Sequence, residues 1–137
     1  MKAGIAIAAS AWVLLCIAMG GCDAGKAKRD VSASAFGNAE HGRQLIASYG
    51  CGACHMIPGV HAARGKVGPP LLFFAERTMI AGELPNTPTN LEKWIENPKQ
   101  VEPKTAMPNL GVKPDEARDM AAYLYTLRGP EGTSWID

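Results

Sequence analysis

Cys51-Gly52-Ala53-Cys54-His55 sets the terms for the rest of the chain. Two cysteines separated by two residues, with a histidine directly after the second, form the attachment signal of a c-type haem. The chemistry accounts for the spacing. Two thiols become thioethers to the two vinyl groups of one porphyrin, and His55 Nε2 reaches the iron from the proximal side. One helical turn from Cys51 to His55 places all three groups against one haem face. Three other readings compete: a structural disulfide, half of a zinc site, or a thioredoxin-like redox pair. A zinc site needs a second Cys pair or paired His downstream, and neither follows. A redox pair has no use for the adjoining His55.

The second informative stretch is Lys104-Thr105-Ala106-Met107-Pro108-Asn109. A thioether is a soft, neutral ligand suited to haem iron, and His/Met ligation raises the reduction potential. Pro103 and Pro108 bracket the segment and stiffen the loop that carries Met107. Met56 adjoins His55 and points elsewhere, Met79 falls in a helix or turn, and Met120 reads as core. Most methionines serve only packing; the proline frame singles out Met107.

The chain has 137 residues, enough for one small domain, with four cysteines at positions 16, 22, 51 and 54. A domain of about a hundred residues has little core of its own, and a buried porphyrin supplies apolar surface. Lys and Arg number 14 and Asp and Glu 13. Lys2 is the one charged residue before Asp23, so loss of residues 1–21 leaves a formally neutral polypeptide. Strong global steering is not indicated, and no block of like charge points to nucleic acid.

Residues 1–21 carry one positive charge and an apolar run of signal-peptide length. Met19-Gly20-Gly21-Cys22 resembles the lipobox of bacterial lipoproteins, in which the cysteine is lipidated and becomes the first residue. An uncleaved N-terminal anchor and an ordinary secreted form remain open. All three export the domain, and Asp23 resembles the signal that keeps some lipoproteins in the inner membrane. Residues 22–36 read as a small, polar tether, and residues 130–137 as a tail containing Trp135.

Within residues 37–129, capping chemistry places the helices. Asn38 is an N-cap for a helix to about residue 48, with Gly42, Leu45, Ile46 and Tyr49 on one face. Residues 59–68 are a loop carrying His61, Arg64 and Lys66; His61 is too near His55 in sequence to reach the opposite haem face easily. Residues 71–77 read as a short helix. Thr87 and Pro88 open a helix that Asn97-Pro98 stops. Pro114, Asp115 and Glu116 open the last, whose stripe is Ala117, Met120, Ala121, Leu124 and Leu127, ended by Gly129-Pro130.

Over about residues 38–128 the chain resembles the class I cytochrome c family. The likeness rests on the Cys-x-x-Cys-His motif, Gly68-Pro69, residues 91–98 (LEKWIENP), the Met107 loop and residues 119–124 (DMAAYL). It implies an all-α fold of three to five short helices around one covalently attached haem c. It further implies that Gly42 and Ile46 cross Tyr123 and Leu124, and that the Pro69 carbonyl accepts the His55 Nδ1–H bond. Arg77 and Thr105 take positions directed at haem propionates. Trp94 stands for an aromatic, usually Tyr, on the Met side of the haem. The familiar Lys before the Met is Ala106 here.

Residues 65–69 and 81–88 look closer still to cytochrome c domains fused to subunit II of haem-copper oxidases, although this chain lacks the copper domain. The resemblance implies a membrane-tethered monohaem electron carrier on the periplasmic side of the bacterial inner membrane. Its partners would be a quinol-cytochrome c reductase, a terminal oxidase or a dehydrogenase. Two other classes compete: a haem c subunit of a periplasmic dehydrogenase or reductase, and a haem enzyme or gas sensor. The last requires an open iron position, hence loss of Met107 as ligand. A basic rim of Arg64, Lys66, Lys99 and Lys104 around an apolar contact patch at the haem edge, facing an acidic surface on the partner, is the expected docking device.

Overall fold

The computed structural model describes residues 36–129. The expected signal segment, Cys16, Cys22, all of the tether except residue 36, and the tail lie outside those residues. Among the described residues there are four helices and one ribbon. They are α1 (Ala39–Ser48), β1 (Met79–Ile80), β2 (Leu84–Pro85), α2 (Pro88–Glu96), α3 (Pro98–Val101) and α4 (Pro114–Leu124). No helix among them is long and apolar enough to cross a membrane.

Each long helix starts where its cap chemistry demands. The Asn38 side chain accepts the His41 N–H at 3.0 Å, satisfying one orphan donor of α1. Thr87 Oγ1 does the same for Asn90 at 3.3 Å, with Pro88 in the first turn of α2. At α4 the Glu116 carboxylate reaches back to the Lys113 N–H at 3.1 Å. That carboxylate also accepts the Tyr49 hydroxyl at 2.6 Å, which ties the end of α1 to the start of α4.

Helices α1 and α4 cross at Gly42. A Cβ built there would lie 1.9 Å from the Asp119 carbonyl oxygen, so only glycine admits this approach. The closest contact therefore falls on Asp119 and Met120, one turn before the Tyr123 and Leu124 expected from the resemblance. Tyr123 instead sends its hydroxyl to the Pro58 carbonyl in the loop after the thiol motif. Ile46, Leu91, Met120 and Leu124 are buried behind the crossing and form the core.

Asp119 clasps the crossing from above. Its Oδ1 accepts the Asn38 N–H and its Oδ2 meets His41 Nδ1, both at 2.7 Å. Burial pushes its carboxyl up, but the Asn38 bond, the His41 bond and the nearby positive charges outweigh that and leave it below its usual value. A depressed folded value means the contribution is complete above the unfolded value, about pH 4, and is lost as pH falls through the lowered one. Asp119→Asn keeps an oxygen for Asn38 but no charge for His41. Denaturant midpoints measured through the acid range should fall more steeply for wild type than for this variant, and parallel curves would contradict the assignment.

Three expectations need correction and a fourth is refined. Residues 71–77 form no α-helix, only a 3₁₀ turn at Phe74–Glu76. Phe73 sits at φ 52°, a left-handed conformation that breaks a right-handed helix, and Arg77 is already extended. Met79 lies in the short antiparallel ribbon, with Met79 opposite Pro85 and Ile80 opposite Leu84. Asn97 does leave the helical region ahead of Pro98, but Pro98 then opens α3, since proline suits a first helical position. The last helix also stops at Leu124, before Leu127. Thr126 and Leu127 bond three residues back, to Tyr123 and Leu124, which tightens the turn that buries Leu127.

Candidate functional site

The elements leave a cavity of about 670 Å³ between them, within the range of cofactor sites. Its walls come from residues 49–51, 54–55, 67–69, 71, 74, 77, 79–81, 94, 102, 105–108 and 110. A smaller space of about 70 Å³ shares Cys51, His55, Trp94 and Met107 with it and is lined also by Ile46, Leu91 and Met120 of the core. Every residue assigned to the site from sequence lines the larger cavity: Cys51, Cys54, His55, Pro69, Arg77, Trp94, Thr105 and Met107.

The thiol motif adopts a 3₁₀ turn over Cys51–Ala53, closed by Cys54 N–H to the Cys51 oxygen at 3.2 Å, and the His55 N–H reaches the same oxygen at 3.0 Å. The loop 59–68 straps it down: Gly65 N–H bonds the Gly52 carbonyl at 3.0 Å and Gly68 N–H bonds the Cys54 carbonyl at 2.8 Å. Gly68 lies flat against the imidazole. A Cβ there would come within 2.2 Å of His55 Cε1, so a side chain would push the ring out of place. His55 Nδ1 lies 2.8 Å from the Pro69 carbonyl. A carbonyl can only accept, so Nδ1 carries the proton and Nε2 keeps its lone pair for a metal.

Both cysteines are free thiols, which removes the structural disulfide. Burial pushes the Cys51 thiol up, with a smaller upward push from Cys54. A thioredoxin-like pair needs the opposite, a thiol lowered to a thiolate. Among the described residues no three His, Cys, Asp or Glu side chains gather to hold a metal ion. Two free thiols, one imidazole with a free Nε2 and a thioether around an apolar cavity instead suit a porphyrin iron. The residues present fit that group.

The supporting residues differ from expectation in detail. Arg77 sends its guanidinium to the Pro70 and Leu72 carbonyls and lies 5.4 Å above the Phe74 ring. Burial lowers its pKa, a partly desolvated cation on the cavity wall. Thr105 Oγ1 accepts the Met107 N–H at 3.2 Å, so its first local role is to shape the methionine loop. Trp94 is half-buried. Met79, expected in a helix or turn, also lines the cavity, whereas Met56 lies outside the lining. His61 is exposed and takes no part in the lining.

Arg64, Lys66, Lys99 and Lys104 are exposed, yet none lines the cavity. Its charged residues are Arg77 and Glu102, of opposite sign. Three large apolar side chains with unusual exposure, Val67 at 77 %, Met79 at 43 % and Leu110 at 42 %, belong to the lining instead. Sequence reasoning expected an apolar contact patch but named none of these three residues for it, because isolated apolar residues in loops carry no periodic signal. It also missed Asn86, treated as one residue of a turn.

Comparison with known proteins follows the same residues. The family model for cytochrome c matches residues 39–128. Cytochrome c oxidase subunit 2 of Alkalihalophilus pseudofirmus is 34 % identical over 91 residues, covering 66 % of this chain and 26 % of that protein. The chain thus spans about a quarter of the length of this curated relative. Residues 39–128 run from the first residue of α1 past the end of α4 and include every segment that walls the cavity, and the chain belongs to the cytochrome c family.

Proposed function

We propose that this chain is a membrane-tethered monohaem cytochrome c that delivers single electrons to a terminal haem-copper oxidase. The observation that carries the proposal is one apolar cavity bearing two free thiols, an imidazole with its Nε2 uncommitted, and the Met107 thioether. Cys51 and Cys54 would hold the haem covalently, with His55 and Met107 as iron ligands. A haem in this setting supplies a reversible one-electron iron couple.

The chain's own residues prepare the site for that couple. Pro69 fixes the His55 tautomer and, with Gly68, the ring orientation. Thr105 shapes the Met107 loop, while Trp94 and Phe74 help exclude water. Arg77, on the cavity wall, would supply a cation for the carboxylates of a porphyrin.

The oxidase as acceptor is supported by the relative from Alkalihalophilus pseudofirmus, which is named as an oxidase subunit. The contact would be apolar, through Val67, Met79 and Leu110. Lipidation at Cys22 would hold the domain at the periplasmic face of the inner membrane, with residues 23–36 as the tether.

Mixing the reduced full-length protein with an oxidised haem-copper oxidase tests this reading. Rapid, saturable oxidation that changes little with salt is expected. Oxidation no faster than in buffer would refute the oxidase assignment.

A further inference from the structure

Asn86 lies between β2 and the Thr87 cap of α2, and its side-chain amide makes three hydrogen bonds. Nδ2 donates to the Phe74 carbonyl at 3.0 Å and to the Arg77 carbonyl at 2.9 Å. Oδ1 accepts the Tyr125 hydroxyl at 2.8 Å. The partners fix the amide's orientation, since two carbonyls need the NH₂ end and the hydroxyl proton needs the oxygen. The Asn86 backbone N–H adds a fourth bond, to the Thr78 carbonyl at 2.9 Å.

These bonds tie three distant pieces together. Phe74 begins the 3₁₀ turn and Arg77 caps it, and both line the cavity. Tyr125 caps α4 and packs edge-on against Phe36 and Phe74, with centroids 5.6 and 6.1 Å away. The middle of the turn is tied elsewhere, Ala75 N–H to the Leu127 carbonyl at 3.1 Å and Gly129 N–H to the Glu76 carboxylate at 2.6 Å, whereas Asn86 bonds the carbonyls of its first residue and of its cap. From the other side, the Arg77 guanidinium is held by the Pro70 and Leu72 carbonyls. Asn86 thus holds the backbone of Arg77 while those carbonyls hold its charge.

We propose that Asn86, braced by Tyr125, is a positioning residue that fixes the Arg77 guanidinium at the cavity wall and thereby tunes the reduction potential of the bound cofactor. A cation fixed in a partly desolvated wall favours whichever redox state carries the extra electron, and its effect depends on distance and on exclusion of water. Losing Asn86 takes its bond from the Arg77 carbonyl and leaves the Phe74 carbonyl only the Arg77 N–H, so the turn loosens where Arg77 leaves it, the guanidinium moves toward solvent and its influence fades.

The proposal rests on the haem-binding reading above, and the experiment separates the two. Redox titrations and thermal unfolding of the full-length, haem-loaded protein would compare wild type with Asn86→Ala, Tyr125→Phe, Arg77→Gln and the Asn86→Ala/Arg77→Gln double variant. Arg77→Gln should lower the potential. Asn86→Ala should lower it by a part of that shift and add nothing in the Arg77→Gln background. Tyr125→Phe keeps the ring contacts, loses only the hydroxyl bond, and should give a smaller shift of the same sign. A lowered melting temperature with an unchanged potential in Asn86→Ala would make the residue merely structural and overturn the proposal. So would an equal shift with and without Arg77. If Asn86→Ala fails to load, Tyr125→Phe decides, and an unchanged potential there overturns it. Absence of covalent haem from wild type would instead defeat the underlying reading.

Discussion

Replacing both Cys51 and Cys54 with alanine should abolish covalent haem and leave little folded protein. After denaturation and extraction with acidic organic solvent, wild type should keep its haem absorbance with the polypeptide and the double variant should keep none. Either single variant should retain one thioether and a reduced yield. The stability consequence follows from the cavity. A rigid void of 670 Å³, at about 24 cal/mol per Å³, would cost on the order of 16 kcal/mol, against roughly 5–15 kcal/mol of total stability for a typical domain. Water entering the open side lowers that cost, but even half of it would consume most of the available stability. The unloaded chain should therefore lose the fixed helix content that the loaded one shows by circular dichroism. An extractable wild-type haem, or a double variant that stays fully folded, would contradict the account.

Met107→Ala should open the iron to exogenous ligands and lower the potential. The thioether lies in the lining together with Pro108, and the Thr105 bond holds its backbone. Axial ligand choice spans about 0.8 V across haem proteins, so exchanging thioether for water should lower the potential by on the order of 0.1 V or more. The charge-transfer band of methionine ligation should vanish, and the reduced variant should bind carbon monoxide. Met79 provides the control, since it also lines the cavity but is 43 % exposed in the ribbon. Met79→Ala should retain the band. Loss of the band in Met79→Ala, with its survival in Met107→Ala, would exchange the two roles.

Local chemistry made much of this legible in advance. Asn38, Thr87-Pro88 and Pro114 act within one helical turn, so their effect could be read from neighbouring residues alone. The same holds for the thiol motif, whose ligands come from five consecutive residues. Features set by distant partners escaped. The 3₁₀ turn at Phe74 depends on Asn86, twelve positions on, and on Tyr125, a further thirty-nine. Apolar residues 71–74 looked helical because burial by tertiary contact and burial on a helix face leave the same composition. Gly42 announced a close crossing, but only the backbone shows that it rests on the Asp119 carbonyl. The exposed Val67 and Leu110 were silent for another reason, since a cavity mouth needs no periodic pattern.

The central claim is a single covalent haem closed on both sides by His55 and Met107 and exchanging one electron reversibly. A spectroelectrochemical titration of the full-length protein under carbon monoxide tests it most directly. The account predicts one Nernstian one-electron transition, superimposable in the two directions and unchanged by the gas. A potential that climbs with carbon monoxide, or oxidative and reductive curves that fail to overlay, would contradict it.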